Sequence, residues 1–144
     1  MCSDTIVHVI ANNECSFFKE VICYLLNKSD KLIISLWGTL PEPLKEELLC
    51  YQIKKRGIRS RIVREYNYII TKDNIESFLL FVKKIDFATI NWGVKINEDG
   101  IVLSRSSEEI SICIYEYMSI NEINIFLSDL RIQAIIKKYE FIKD

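Results

Sequence analysis

Glycine and proline are scarce in this chain, four and two residues among 144, which leaves little room for long irregular loops. The scarcity also removes any glycine-rich cradle for a phosphate. After the first expected strand comes Ala11-Asn12-Asn13-Glu14, without a glycine, so neither a dinucleotide fingerprint nor a P-loop can form there. Glu14 would moreover repel an anion at that helix start. No C-x-x-C pair occurs among Cys2, Cys15, Cys23, Cys50 and Cys113, and His8 is the sole histidine, so a zinc site is not expected. Cys15 and Cys23 fall about two turns apart on one expected helix, too far for a disulfide. Five unpaired thiols suit a reducing compartment. No apolar run approaches the roughly 20 residues that span a bilayer, and Met1-Cys2-Ser3-Asp4 does not open a secretory signal. The expectation is a cytoplasmic protein without membrane contact, metal or cofactor.

What is present is ordinary globular material. Hydrophobic residues make up 49% and charged residues 27%, a balance that argues for a packed core and against disorder. A chain of this length can bury roughly 70% of its unfolded surface. With no repeat, low-complexity tract or linker, residues 1–144 read as one domain.

The periodicities give an α/β order. Thr5 to Ala11 is a short β-branched run and reads as a buried strand. Asn12-Asn13-Glu14 supplies turn and capping chemistry for a helix whose Phe17, Phe18, Val21, Ile22, Leu25 and Leu26 form one apolar face. Lys31 to Trp37 is a second strand. A second helix starts between Thr39 and Pro43, runs through Lys54, Lys55 and Arg56 at its negative end, and is stopped by Gly57. A third strand lies within 58–70. This β-α-β-α-β first half favours parallel pairing through right-handed crossovers. Asp73-x-x-Glu76 reads as a capping box for a third helix. Ala88 to Ile96 alternates strictly, with Trp92 on the inward side. Asn97-Glu98-Asp99-Gly100 is a hairpin turn, and Ile110, Ile112 and Ile114 mark a further strand. Ser119-x-x-Glu122 opens a last helix, buried on two sides or broken near Ser128-Asp129. The expected fold is a mixed sheet with a β-α-β-α-β first half, an antiparallel hairpin second half and a C-terminal helix.

Recognisable catalytic chemistry is thin. His8 lies in the middle of an apolar strand, where a hydrogen-bonded core histidine is the usual occupant; a general base is the alternative. Cys15, at a helix start, is the best single nucleophile, because such a position lowers a thiol pKa. An enzyme or ligand-binding reading therefore centres on His8, Asn12, Asn13 and Cys15, at the carboxyl end of the first strand.

Charge is more informative, because it is uneven. Lys54, Lys55, Arg56, Arg59, Arg61 and Arg64 form a basic run without an acid. A helix end followed by a guarded edge strand accounts for it structurally; a nucleic-acid module is the functional alternative, disfavoured because only Tyr66 and Tyr68 follow as stacking aromatics. Residues 96–130 carry Glu98, Asp99, Glu108, Glu109, Glu116, Glu122 and Asp129 against Arg105. Together with Tyr115 and Tyr117, Glu98, Asp99, Glu108, Glu109 and Glu116 are the residue types of a docking surface for a basic protein. The bland reading is a solvated sheet face.

The segments Ile90-Asn-Trp-Gly93, Asn97-Glu-Asp-Gly100 and Ser107-Glu-Glu-Ile-Ser-Ile112 make a Trp-bearing strand, an Asp-Gly hairpin and an acid-flanked β-branched strand leading into a capped helix. This pattern, over about a quarter of the chain, resembles small bacterial immunity proteins that neutralise polymorphic or contact-dependent growth-inhibition toxins. The resemblance implies a cytosolic, non-enzymatic inhibitor that binds a cognate toxin, here a basic one and possibly a nuclease. It carries over no functional residues, and the basic run at 54–64 departs from the pattern.

Overall fold

Strand β1 (Thr5–Ala11) leads into α1 (Glu14–Leu26), and β2 (Lys31–Trp37) into α2 (Glu42–Glu47) and a 3-10 turn at Leu49–Tyr51. Next come β3 (Glu65–Thr71), α3 (Ile75–Val82), β4 (Asn91–Ile96), β5 (Ile101–Ser106) and β6 (Glu109–Cys113). The last elements are α4 (Ile120–Ser128), α5 (Leu130–Gln133) and β7 (Ile136–Lys143). The computed structural model describes residues 5–53, 65–96, 101–106, 109–113 and 120–143. The strands form one seven-stranded sheet in the order β3-β2-β4-β5-β6-β1-β7.

Every described ladder is antiparallel. The α/β class, the β-α-β-α-β order of the first half and the antiparallel hairpin of the second are as the sequence predicts, but the parallel pairing is not. Strands β1 and β2 do run in the same direction, yet β6, β5 and β4 stand between them. Likewise β3 and β4 are parallel in direction but flank β2, joined through α3, while β6 and β7 flank β1, joined through α4 and α5. Each crossover leaves room for an antiparallel strand. Parallel sheets need helices on both faces, whereas an antiparallel sheet can leave one face to solvent.

Pleat alternation sorts the residues. Across β3, β2 and β4 the register aligns Tyr66 with Leu36 and Trp92, Tyr68 with Ile34 and Val94, and Ile70 with Leu32 and Ile96. All nine are buried. Phe18 of α1 meets the Trp92 ring edge-on at 4.6 Å, Phe78 of α3 lies 6.2 Å from Tyr68, and Lys45 of α2 sits over Tyr66. These rows therefore face the helices. The α1 stripe expected from spacing is buried in full, and Asn13 caps the helix by accepting from the Ser16 N–H. On α1, Phe17 and Tyr24 pack against Phe126 of α4. Glu122 accepts from Lys28 and Tyr24, so its carboxylate is spent on α1. Cys15, Cys23 and Cys50 are free thiols.

Three boundaries differ from expectation. The second helix ends at Glu47, because Leu44, Leu48 and Tyr51 are drawn into the core and Tyr51 packs edge-on against Phe78. Gln52 then bridges to Tyr68, so the helix does not continue toward Lys54; Lys54, Lys55, Arg56 and Gly57 lie outside the described residues. The Asp73-Glu76 capping box is replaced by Asn74, whose side chain accepts from the Thr71 N–H and donates to the Ile69 carbonyl. At the C-terminus the helix breaks at Asp129, which caps α5 by accepting from the Arg131 N–H, and the chain finishes as β7 instead of a helix. The cause is a change of period, since Tyr139 and Phe141 alternate with exposed Lys138 and Glu140.

Gly38 turns the chain out of β2 at φ 139°, and an added Cβ would stand 2.7 Å from Ile90 Cδ1. Tyr68 is fully buried, and its hydroxyl has no hydrogen-bond partner among the described residues. Burial, with Tyr66 adding to it, pushes its pKa far above the ordinary value.

Two stability measurements follow. Trp92→Ala should cost about 3–5 kcal/mol in urea denaturation, as for a large core aromatic; an unchanged midpoint would mean that the inward face is misassigned. Tyr68→Phe should be neutral or stabilising by about 1 kcal/mol, since it removes an unpaired buried hydroxyl. Above pH 10.0, the ordinary value, unfolded Tyr68 ionises while folded Tyr68 stays neutral, so wild-type stability falls there. Tyr68→Phe should make that alkaline loss shallower.

Candidate functional site

The second face of the sheet is built from the residues that alternate with the core rows. Among the described residues, the ring contacts between helices and sheet all fall on the Trp92 face. Among the residues whose burial is described, the opposite face is half-buried or exposed, except for Gly93 and one polar pair at its centre. Ser35 and Asn67, partners in the β2–β3 register, are buried, and the Ser35 hydroxyl donates to Asn67 Oδ1 over 2.6 Å. Gly93 continues the row on β4. The register then runs through Ser104, Ser111, His8 and Glu140, crossing the whole sheet as a band of small and polar residues.

This band is bordered on β2 and β3 by Ile33 and Ile69 on one side and Trp37 and Glu65 on the other. The Trp37 indole N–H donates to Glu65 Oε1 at 3.0 Å, which pins the ring at the rim of the face. Asn91 is the neighbour of Trp37 on β4. At the same end of the sheet β5 finishes at Ser106, whose register partner on β6 is Glu109. The result is a row of polar positions beside a fixed indole, with acidic positions Glu65 and Glu109 in the register row of Trp37. Such a surface can take up a protein partner, because a rigid aromatic supplies apolar area at little entropic cost.

Of the acidic and tyrosine residues predicted to bind a partner, only Glu109 lies on a described strand. Glu98, Asp99, Glu108, Tyr115, Glu116 and Tyr117 lie outside the described residues, as do Lys54, Lys55, Arg56, Arg59, Arg61 and Arg64 of the basic run. The strands do fix where these segments attach. The 97–100 connection and the chain leaving β6 join one end of the sheet; the β5–β6 connection and the chain entering β3 join the other.

The enzyme-type constellation is not brought together. His8 alternates with buried Val7 and Val9, so it belongs to the open face and is half-buried, not in the core. Cys15 belongs to the helix side, where its thiol reaches the Val82 carbonyl at 3.9 Å. The sheet stands between them. Asn12 donates through its backbone and its side chain to Ile135 and Ile136, and Asn13 caps α1. Ser111, His8 and Glu140 are successive register partners, the residue types of a hydrolytic triad. However, β6 and β1 are interior strands with ladders on both sides, which commit the backbone N–H groups an oxyanion would need. At the far end, Asn27, Lys28, Ser29, Asp30 and Lys72 line an open depression of about 270 Å³, in which Lys28 is already paired with Glu122. The described residues contain no cluster of His, Cys, Asp or Glu able to hold a metal ion, and no described helix is long and apolar enough to cross a membrane.

Sequence reasoning missed the Ser35–Asn67 pair and Trp37. Their signal was available: a serine inside Leu32-Ile-Ile-Ser-Leu36, and an asparagine between two tyrosines. No protein-family model, curated protein or solved structure matches the chain.

The buried pair is open to a double-mutant cycle. Ser35→Ala and Asn67→Ala should each cost about 1–3 kcal/mol by leaving the other polar group unsatisfied. The double variant should cost clearly less than the sum. Additive losses in urea denaturation would show that the two side chains do not depend on each other.

Proposed function

We propose that this chain is a non-enzymatic binding protein, an inhibitor of the immunity type that neutralises a basic protein toxin. The observation that carries the reading is one-sided cover: the described helices occupy one face of the sheet, and the other carries a pinned Trp37 beside a row of polar residues. A partner docking there gains apolar burial at the indole, the part of an interface that acts as its anchor. Acidic positions border the same end, at Glu65 and Glu109. Charge of this sign steers a cationic partner and raises its association rate. A nuclease is a natural candidate, because its own cleft must be cationic to hold phosphates.

The test uses the product of the neighbouring gene as the partner, with affinity measured at two salt concentrations. Trp37→Ala should weaken binding roughly 30-fold or more, as for an interfacial aromatic anchor. Reversing Glu108 and Glu109 to lysine should slow association and reduce its salt dependence. If these variants bind normally while neutralising Arg59, Arg61 and Arg64 abolishes binding, the interface is the basic run and the partner is acidic.

A further inference from the structure

The two edges of the sheet are treated differently. Outside β3, the chain after the 3-10 turn returns to cover the edge: Gln52 bridges to Tyr68, and the Ile53 N–H donates to the Asn67 carbonyl at 2.8 Å. At the other edge, β7 pairs with β1 along its length and has no second ladder among the described residues. It is eight residues long and contains no proline, and its one irregularity, the extra residue Lys137, lies near its start. Such an edge exposes a row of backbone donors and acceptors ready to pair with another strand.

Lysines and bulges commonly guard edges against this, so the charge order of β7 is decisive. Lys138 and Glu140 are exposed on the open face, opposite Ile10 and His8, while Tyr139 and Phe141 are half-buried on the helix face with their rings edge-on at 6.0 Å. A purely defensive edge would repel a second copy with charges of one sign. Here the two exposed charges of the open face, Lys138 and Glu140, are opposite in sign and two residues apart, while exposed Lys137 is the bulged residue near the start of the strand. We infer that β7 pairs with β7 of a second copy, antiparallel and centred on Tyr139, to join two sheets into one.

The register follows from symmetry. A two-fold axis perpendicular to the sheet keeps each face on its own side, so a residue must sit on the axis. With Tyr139 there, Lys138 lies opposite Glu140 of the other copy, and Glu140 opposite its Lys138. With Lys138 or Glu140 there, a charge faces itself. Directly opposed residues on paired strands have Cβ atoms about 4.5–5.5 Å apart, where opposite charges attract and like charges repel. The Tyr139 register satisfies both charges twice and brings the two Tyr139 side chains together on the helix face. This arrangement is independent of the toxin-inhibitor reading.

The experiment is sedimentation velocity over a range of protein concentrations, with circular dichroism to check each fold. Wild type should form a dimer that weakens as salt rises. Lys138→Glu and Glu140→Lys should each raise the dimer dissociation constant roughly tenfold or more, by turning two attractions into two repulsions. The double variant Lys138→Glu/Glu140→Lys should restore it. Mixing the two single variants should produce a heterodimer, since one strand then carries two acids and the other two lysines. A wild type that stays monomeric at roughly millimolar concentration, or a dimer indifferent to both reversals, would overturn the proposal.

Discussion

Trp92 is the joint between the sheet and the helices. Its indole is fully buried on β4, meets Phe18 edge-on at 4.6 Å, and donates its N–H to Glu14 at 3.0 Å. Phe18 in turn lies 5.3 Å from Phe87, in the turn that feeds β4. A buried indole needs an acceptor, and the first turn of α1 supplies one as a carboxylate. The same contact sets the start of the helix that carries the chain from β1 to β2, past three intervening strands. Fixing α1 on this face places the whole apolar stripe from Phe17 to Leu26 in the core. The face that carries Trp37 is thus the one the described helices do not cover.

Much of the fold was legible because the periods are clean. The α1 stripe, the alternation around Trp92 and the apolar run of β2 each announce their partners' side. What failed were statements about adjacency. Nothing local in β1 or β2 says that three strands will be inserted between them, since period-two patterning fixes a face and not a neighbour. The Lys54–Arg56 stretch looked like a helix end, but Tyr51 has more to gain against Phe78 than a further helical turn offers. In the last segment, isoleucines at 132, 135 and 136 suit a helix or a strand equally, and Tyr139 and Phe141 decide for the strand only once β1 is there to receive it.

The candidate site was much less readable, for a physical reason. Its parts come from all seven strands and are joined by register, which no single segment encodes. Ser35 makes sense only opposite Asn67, Trp37 only opposite Glu65, and His8 only between Ser111 and Glu140. Net charge along the chain picked out Glu109 but could not show that it shares an end of the sheet with Trp37. Cys15 and His8 are close in sequence, yet the strand-to-helix turn between them places one on each side of the sheet.

The position of β1 has a consequence for synthesis. Its ladder partners are β6, beginning at Glu109, and β7, ending at Lys143, so β1 pairs only with strands made long after it. At translation rates of about 5–20 residues per second, β1 waits on the order of five to twenty seconds for a neighbour. Meanwhile β2, β3 and β4 can assemble around α3 from nearby chain. The nascent chain therefore exposes a β-branched segment, Thr5 to Ala11, while the strands between β1 and β6 are made, and it is this segment that a holding chaperone would have to shield.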